Sequence, residues 1–127
     1  GYKMPITHYS LQGRVFFAKE SGDISDEEAR QWAERLKESA ASAPTPIIAL
    51  VDAMDVKHIS LPAINIFARA SFTHNVLGIV VATNLMGSGT SRNIGLLGKR
   101  NHTVVFRTLD EAQQHAFNLL GQQGDES

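Results

Sequence analysis

The chain has 127 residues, of which 43% are hydrophobic and 20% are charged, and its net charge is −1. These values are typical of one globular domain and predict neither a nucleic-acid partner nor binding to an anionic membrane surface. The chain has no cysteine, which excludes disulfides, thiolate metal sites and cysteine nucleophiles and favours a cytoplasmic protein. Because no apolar run approaches the roughly 20 residues that a membrane span needs, we expect no transmembrane segment.

Two strands open the predicted fold. Residues 6–11 alternate between two faces, and residues 14–19 are mainly β-branched or aromatic. The Gln12-Gly13 pair between them predicts a β-hairpin. The sequence of residues 20–23, ESGD, is typical of a turn, so we expect the second strand to end before it.

The first helix is predicted to begin after Ser25. Ser25 and Glu28 have the spacing of a capping box, and residues 43–46, APTP, are expected to end the helix. Between these limits apolar residues recur at helical spacing and predict one buried stripe. The stripe consists of Ala29, Trp32, Ala33, Leu36 and Ala40.

The rest of the chain alternates between apolar strands and helices. Residues 46–53 are almost entirely apolar, which is typical of a strand covered on both faces, and residues 60–70 predict a second helix with Pro62 in its first turn. A strand at 75–83, a glycine-rich loop at 84–90 and a short helix at 91–97 are expected to follow.

The chain is predicted to close with a strand at 102–107 and a last helix. Thr108 and Glu111 again have the spacing of a capping box. The apolar stripe of this helix is predicted to contain Leu109, Ala112, Ala116, Phe117 and Leu120.

This order of elements indicates a single α/β domain at residues 5–121. We expect a mixed, mostly parallel sheet of about five strands with about four helices. Residues 122–127 form a polar tail that we expect to be disordered.

Several short motifs follow one another over residues 6–120. They are the glycine–acidic–apolar turn Gly22-Asp23-Ile24, the strand end Leu50-Val51-Asp52, the apolar residue Val56, and the closing pair Val104-Val105-Phe106 and Asp110-Glu111-Ala112. In these motifs the chain resembles the STAS family, the domain of sulfate transporters and anti-sigma factor antagonists. It is most similar to the small stand-alone antagonist-like members. The resemblance implies a regulatory domain that binds protein partners.

The start of the second helix departs from that family. Phosphorylatable members have Asp-Ser-Ser-Gly there, whereas this chain has Ser60-Leu61-Pro62-Ala63. A helix start favours anions because its first amides lack partners, and Ser60 could serve either as a phosphoacceptor or as an N-cap. We favour the cap, because neither serine position of the motif is a serine, and we expect no phosphorylation switch.

Two further sets of residues are candidates for binding. Asp52 lies at the end of an apolar strand, and Asp55 lies just after it in a predicted short loop, with His58 nearby. This set suits acid–base chemistry or a metal, or simply a local turn. In the glycine-rich loop, backbone amides with Ser88, Gly89, Thr90 and Arg92 could hold a phosphate or carboxylate, although the loop matches neither a Walker nor a dinucleotide motif.

We therefore expect a non-enzymatic regulatory or protein-interaction module with no catalytic residue, no metal and no cofactor. Its partner would be a protein, and the family resemblance implies an anti-sigma factor-like one. The contact would involve Asp23, the Asp52–Ser60 region and Leu61. A carrier or sensor of a small anionic or apolar ligand is the alternative. An enzyme using Asp52, Asp55 and His58 is the third hypothesis.

The second helix also bears on the assembly state. Ile64, Ile66 and Phe67 give it a wider apolar surface than one buried stripe needs, which favours either a ligand pocket or a homodimer.

Overall fold

The structure is a computed structural model that describes residues 6–85 and 102–125. Its elements in chain order are β1 (Ile6–Gln12), β2 (Val15–Ile24), α1 (Asp26–Ser42), β3 (Ile47–Ile59), α2 (Leu61–Ala70), β4 (Val76–Thr83), β5 (Thr103–Phe106) and α3 (Leu109–Asp125).

The five strands form one sheet in the order β1-β2-β3-β4-β5. β1 and β2 are the antiparallel hairpin predicted around Gly13, which has a φ of +60° that glycine adopts without strain. The other neighbouring pairs are parallel, with α1 and α2 as crossovers between β2, β3 and β4. The predicted fold class, α/β with a mixed and mostly parallel sheet, is confirmed.

Helices α1 and α2 cover one face of the sheet, which we call the α1–α2 face. Trp32 of α1 is fully buried there, and its ring centroid lies 4.8 Å from that of Phe67 of α2 in an edge-on arrangement. The ring of Phe16 of β2 also lies near the indole, at 6.3 Å between centroids. This aromatic group is the centre of the larger hydrophobic core.

Helix α3 covers the opposite face, the α3 face. Ala112 and Ala116 are buried there against apolar side chains of β3 and β4. The prediction for Phe117 was wrong, because this side chain is 59% exposed. Phe117 points about 100° away from Ala116 around the helix, and Leu119 packs on the core with Leu120 instead.

The capping box predicted at α1 occurs in full, and at α3 Thr108 caps the helix without the reciprocal bond from its own amide. The Oγ of Ser25 accepts a hydrogen bond from the Glu28 amide (3.3 Å), and the Glu28 carboxylate accepts one from the Ser25 amide (3.1 Å). At α3 the Oγ1 of Thr108 accepts from the Glu111 amide (3.2 Å) and donates to the Glu111 side chain (2.9 Å). The sequence therefore predicted both helix starts correctly.

Two strands are longer than predicted. Residues 20–23 belong to β2 rather than to a turn, and β3 continues to Ile59, so the loop expected after Asp52 does not exist. Parallel pairing between β2 and β3 continues across two irregularities in register, one of them beside Gly22 with its φ of +67°. Bulges absorb the turn-like residues without ending the strands.

The remaining differences concern the ends of the fold. Residues 122–125 were expected to belong to a disordered tail, but they are helical because α3 runs to Asp125. Glutamine, which is common in this segment, is a good helix former. The short helix predicted at residues 91–97 lies outside the described residues. Within the described ranges, no helix is long and apolar enough to cross a bilayer.

Candidate functional site

Among residues 6–85 and 102–125, the sheet has an extension formed by β2 and β3 alone. The pairing of β3 with β4 ends at Ala53 and Thr83, whereas its pairing with β2 continues to Ile59 and Ile24. Residues 21–24 and 55–59 therefore form a two-stranded projection, which we call the β2–β3 ribbon. The ribbon ends directly before α2, where the Ser60 amide donates a hydrogen bond to the Ile24 carbonyl (3.2 Å).

Three of the predicted binding residues lie on this ribbon. Asp23 and His58 are paired across the two strands, and both are exposed. Asp55 is also exposed, and its Oδ2 lies 3.7 Å from the Nζ of Lys19. An ion pair this exposed contributes about 0–1 kcal/mol to stability, so its charges remain available to a partner.

Asp52 has a different setting from Asp55 and His58. It is half-buried within the sheet, and its Oδ1 accepts a hydrogen bond from the Met54 amide (3.2 Å). In the described part of the chain, no hydrogen bond or ion pair joins His58 to Asp52 or Asp55, and no group of three His, Asp or Glu side chains is placed to hold a metal. Asp52 thus has the local backbone-bonding role that the sequence left open.

The start of α2 has few free amides to offer an anion. The Oγ of Ser60 accepts a hydrogen bond from the Ala63 amide (3.2 Å), and Pro62 has no N–H group. The Ile64 amide donates to the Ser60 carbonyl (3.0 Å), which leaves the Leu61 amide in this turn. Ser60 is therefore an N-cap, and its neighbour Leu61 presents a side chain that is 52% exposed.

The candidate loop residues Ser88, Gly89, Thr90 and Arg92 lie outside the described residues. Their joint role in holding an anion stays a prediction.

A buried carboxyl group was missed by the sequence analysis. Glu20 is only 3% exposed, and its Oε2 has no hydrogen-bond partner among the described residues. It follows Phe16 and Ala18 at two-residue intervals on the core side of β2. That alternation is visible in the sequence, but the turn predicted at residues 20–23 excluded Glu20 from the strand.

Burial dominates the chemistry of Glu20. Loss of hydration, and secondly the negative charge of nearby Asp52, raise the pKa of Glu20 from 4.5 to about 8. The side chain is therefore a neutral carboxylic acid at neutral pH, with one O–H donor. A neutral acid in an apolar surrounding is able to donate a hydrogen bond that a carboxylate cannot.

Glu20 lines a small cavity between the sheet and α2, which we call the Glu20 cavity. Its enclosed part measures about 20 Å³, enough for one water molecule, and the space between its walls reaches about 380 Å³ when the part open to solvent is included. The walls are otherwise apolar except for Thr83, whose Oγ1 accepts from the Leu85 amide (3.2 Å).

A wider depression lies at the opposite end of the sheet. It measures about 510 Å³ and is lined by the hairpin turn and the end of α1. Its cation, Arg14, donates a hydrogen bond from Nε to the Pro46 carbonyl (2.9 Å). This contact ties the β1–β2 turn to the start of β3 and gives Arg14 a structural role.

Comparison with known proteins identifies the fold. The chain is similar to an uncharacterized protein of the DUF3478 family with a SpoIIAA-like fold from Shewanella loihica, with a TM-score of 0.58 at 16% identity over 91% of this chain and 99% of the other. It is also similar to an anti-sigma factor antagonist from Mycobacterium paratuberculosis, with a TM-score of 0.66 at 22% identity over 87% and 93% of the two chains. No protein-family model and no curated protein sequence matches.

The chain therefore has a SpoIIAA-like fold, the STAS-like fold that the sequence resemblance implied. At these identities the likeness establishes the architecture. The activity has to be argued from the side chains.

Proposed function

We propose that this domain is a non-enzymatic regulatory module that binds a protein partner through the β2–β3 ribbon and the start of α2. The observation that carries the proposal is the exposed Leu61 at the head of α2, directly beside a projecting ribbon of charged residues. The similarity in fold to an anti-sigma factor antagonist supports an anti-sigma factor-like partner.

The composition of this surface suits a protein interface. Leu61 offers an apolar contact, and the exposed polar side chains around the ribbon include both signs of charge: Asp23, Asp55, Lys57 and His58. Protein interfaces commonly combine an apolar centre with a polar rim. A partner would bury Leu61 and use the ribbon charges to select its orientation.

We propose further that phosphorylation does not control this contact. Ser60 is the hydroxyl residue at the head of α2, and its oxygen is used to cap the helix. Leu61 and Pro62 have no hydroxyl group.

The binding test uses the anti-sigma factor-like kinases encoded in the genome that carries this gene. Each is titrated into the purified chain by calorimetry, with Leu61→Glu as the test variant. We expect one of them to bind, and the variant to weaken binding at least tenfold, because it places a charge in the apolar centre of the contact. A tenfold change corresponds to about 1.4 kcal/mol.

Phe117→Glu is the matched control. Phe117 is as exposed as Leu61 but lies on the α3 face, so the same change in charge should leave binding unaltered. Equal losses in both variants, or no binding by any of these kinases, would contradict the proposed interface.

Intact mass spectrometry tests the absence of a switch. After incubation with ATP and the bound kinase, we expect an unchanged mass. Stoichiometric addition of a phosphate at Ser60 would show that this departure from the family motif had been misinterpreted.

The other hypotheses have less support. No observation favours an enzyme that uses Asp52, Asp55 and His58. The homodimer stays a prediction, which light scattering of the purified chain would test. A small ligand is favoured by a different observation, the Glu20 cavity.

A further inference from the structure

We propose that the Glu20 cavity is a binding site for one small, neutral, mainly apolar molecule with a hydrogen-bond acceptor such as a carbonyl oxygen, oriented by a hydrogen bond from the Glu20 carboxyl group. The inference rests on the shape and lining of the cavity. It is independent of the protein partner proposed above.

The walls of the cavity select an apolar molecule. They are formed by side chains of β3, β4 and α2, including Val51, Val56, Phe67 and Val81, and by Leu85 just after β4. Burial of an apolar ligand surface against such walls is favourable by roughly 25 cal/mol for each Å² removed from water. Binding pockets for small molecules commonly combine apolar walls with a few polar groups that fix orientation.

Glu20 supplies the polar group that fixes orientation. Its Oε2 is buried and has no hydrogen-bond partner in the described part of the chain, although a buried polar atom normally has one. The other polar side chain in the wall, Thr83, already accepts a hydrogen bond from the Leu85 amide. A ligand acceptor would satisfy Glu20 without disturbing any contact in the described structure.

The charge of the site favours a neutral molecule. Asp52 lies close enough to act electrostatically on Glu20, so an anion would be repelled. A cation would lose its hydration on entering walls that are almost entirely apolar. A ketone, aldehyde or ester has an acceptor oxygen, and because it is uncharged it is neither repelled by Asp52 nor penalised by the loss of an ion's hydration.

The size of the site sets the scale of the ligand. The enclosed part has room for one water molecule, so a larger guest must extend into the part that opens to solvent, within the total of about 380 Å³. A molecule the size of cyclohexanone would place its oxygen in the enclosed space beside Glu20 and its ring in the open part.

The test compares two probes of nearly the same shape. Cyclohexanone has an acceptor oxygen, and methylenecyclohexane has a CH₂ group in its place. Fluorescence of Trp32, the only tryptophan of the chain, reports binding because its ring contacts Phe67 of the cavity wall. We expect cyclohexanone to bind about 3- to 10-fold more tightly, the worth of one net hydrogen bond.

Two substitutions at Glu20 separate hydrogen bonding from packing. Glu20→Met keeps the length of the side chain and removes the donor, so the preference for the ketone should disappear. Glu20→Gln keeps a donor, so the preference should remain. Glu34→Gln, an exposed change on α1, should behave as the wild type, and circular dichroism checks that each variant is folded.

The dependence of ligand preference on pH distinguishes hydrogen bonding by Glu20 from a purely structural role. The wild-type preference for the ketone should be lost about two pH units above the pKa of Glu20, where the side chain is a carboxylate. In Glu20→Gln it should persist. The proposal is overturned if neither probe binds, if both bind equally, or if the wild-type preference does not change with pH.

Discussion

The two faces of the sheet are covered by side chains of different size and chemistry. On the α1–α2 face, Trp32 packs with Phe16 and Phe67, and a cavity with a buried carboxyl group lies alongside. On the α3 face, the helix approaches the strands through Ala112 and Ala116. The comparison shows that unfilled space lies on the face with the large rings, where we propose the ligand site.

The largest expected effect tests how far the α1–α2 face depends on its aromatic group. Trp32→Ala should lower the free energy of unfolding by about 3–5 kcal/mol, because it removes a fully buried side chain and leaves a cavity. Phe117→Ala, on the α3 face and 59% exposed, should change it by no more than about 0.5 kcal/mol. Urea unfolding of both variants measures the contrast. Similar losses would show that the two faces do not differ in this way.

A second effect, comparable in size when it is summed from pH 4.5 to 8, follows from the buried acid. In the folded chain the pKa of Glu20 is about 8, against 4.5 for the unfolded reference. Between these values the folded state retains a proton that the unfolded state has lost. The contribution of Glu20 to the free energy of unfolding should therefore fall by up to about 1.4 kcal/mol per pH unit as pH rises, and level off above pH 8.

Glu20→Gln isolates that contribution. The variant should gain stability relative to the wild type as pH rises from 4.5 to 8, as measured by urea unfolding at several pH values. Glu34→Gln is the control, because this exposed residue on the same face should show no such trend. A constant difference between Glu20→Gln and the wild type would mean that Glu20 is ionised in the folded chain.

The smallest expected effect compares the helix caps of the two faces. Ser25→Ala removes the hydrogen bond from the Glu28 amide to the Ser25 Oγ, leaves the bond from the Ser25 amide to the Glu28 carboxylate, and should cost about 1 kcal/mol. Thr108→Ala removes the corresponding bond from the Glu111 amide at a more exposed site and should cost about half as much. Thermal unfolding measures both. A larger loss for Thr108→Ala would mean that α3 contributes more to stability than its small side chains suggest.

Local patterns in the sequence predicted much of the fold. The capping residues Ser25 and Thr108, the hairpin turn at Gly13 and the cap at Ser60 all occur as expected. Each depends on residues within a few positions of one another, so the interaction energy is set by the local sequence. The apolar run of β3 likewise indicated a strand buried on both faces.

The sequence predictions were wrong where long-range contacts decide the structure. Residues 20–23 have the composition of a turn, yet pairing with β3 keeps them in β2 and brings Glu20 into the core. Asn75, with a φ of 69°, donates from its side-chain amide to the Ala40 and Ala43 carbonyls at the end of α1. No pattern near Asn75 reveals these partners, which lie more than thirty positions earlier.

The sequence by itself determined the α/β architecture, the helix starts and the loss of the serine motif at α2, because these depend on local residue types. The tertiary structure alone decided that β2 and β3 extend together as a ribbon and that Glu20 faces a cavity. Strand length is set by the hydrogen bonds available from the neighbouring strand. The pKa of a side chain is set by the hydration and charge around it in the folded chain.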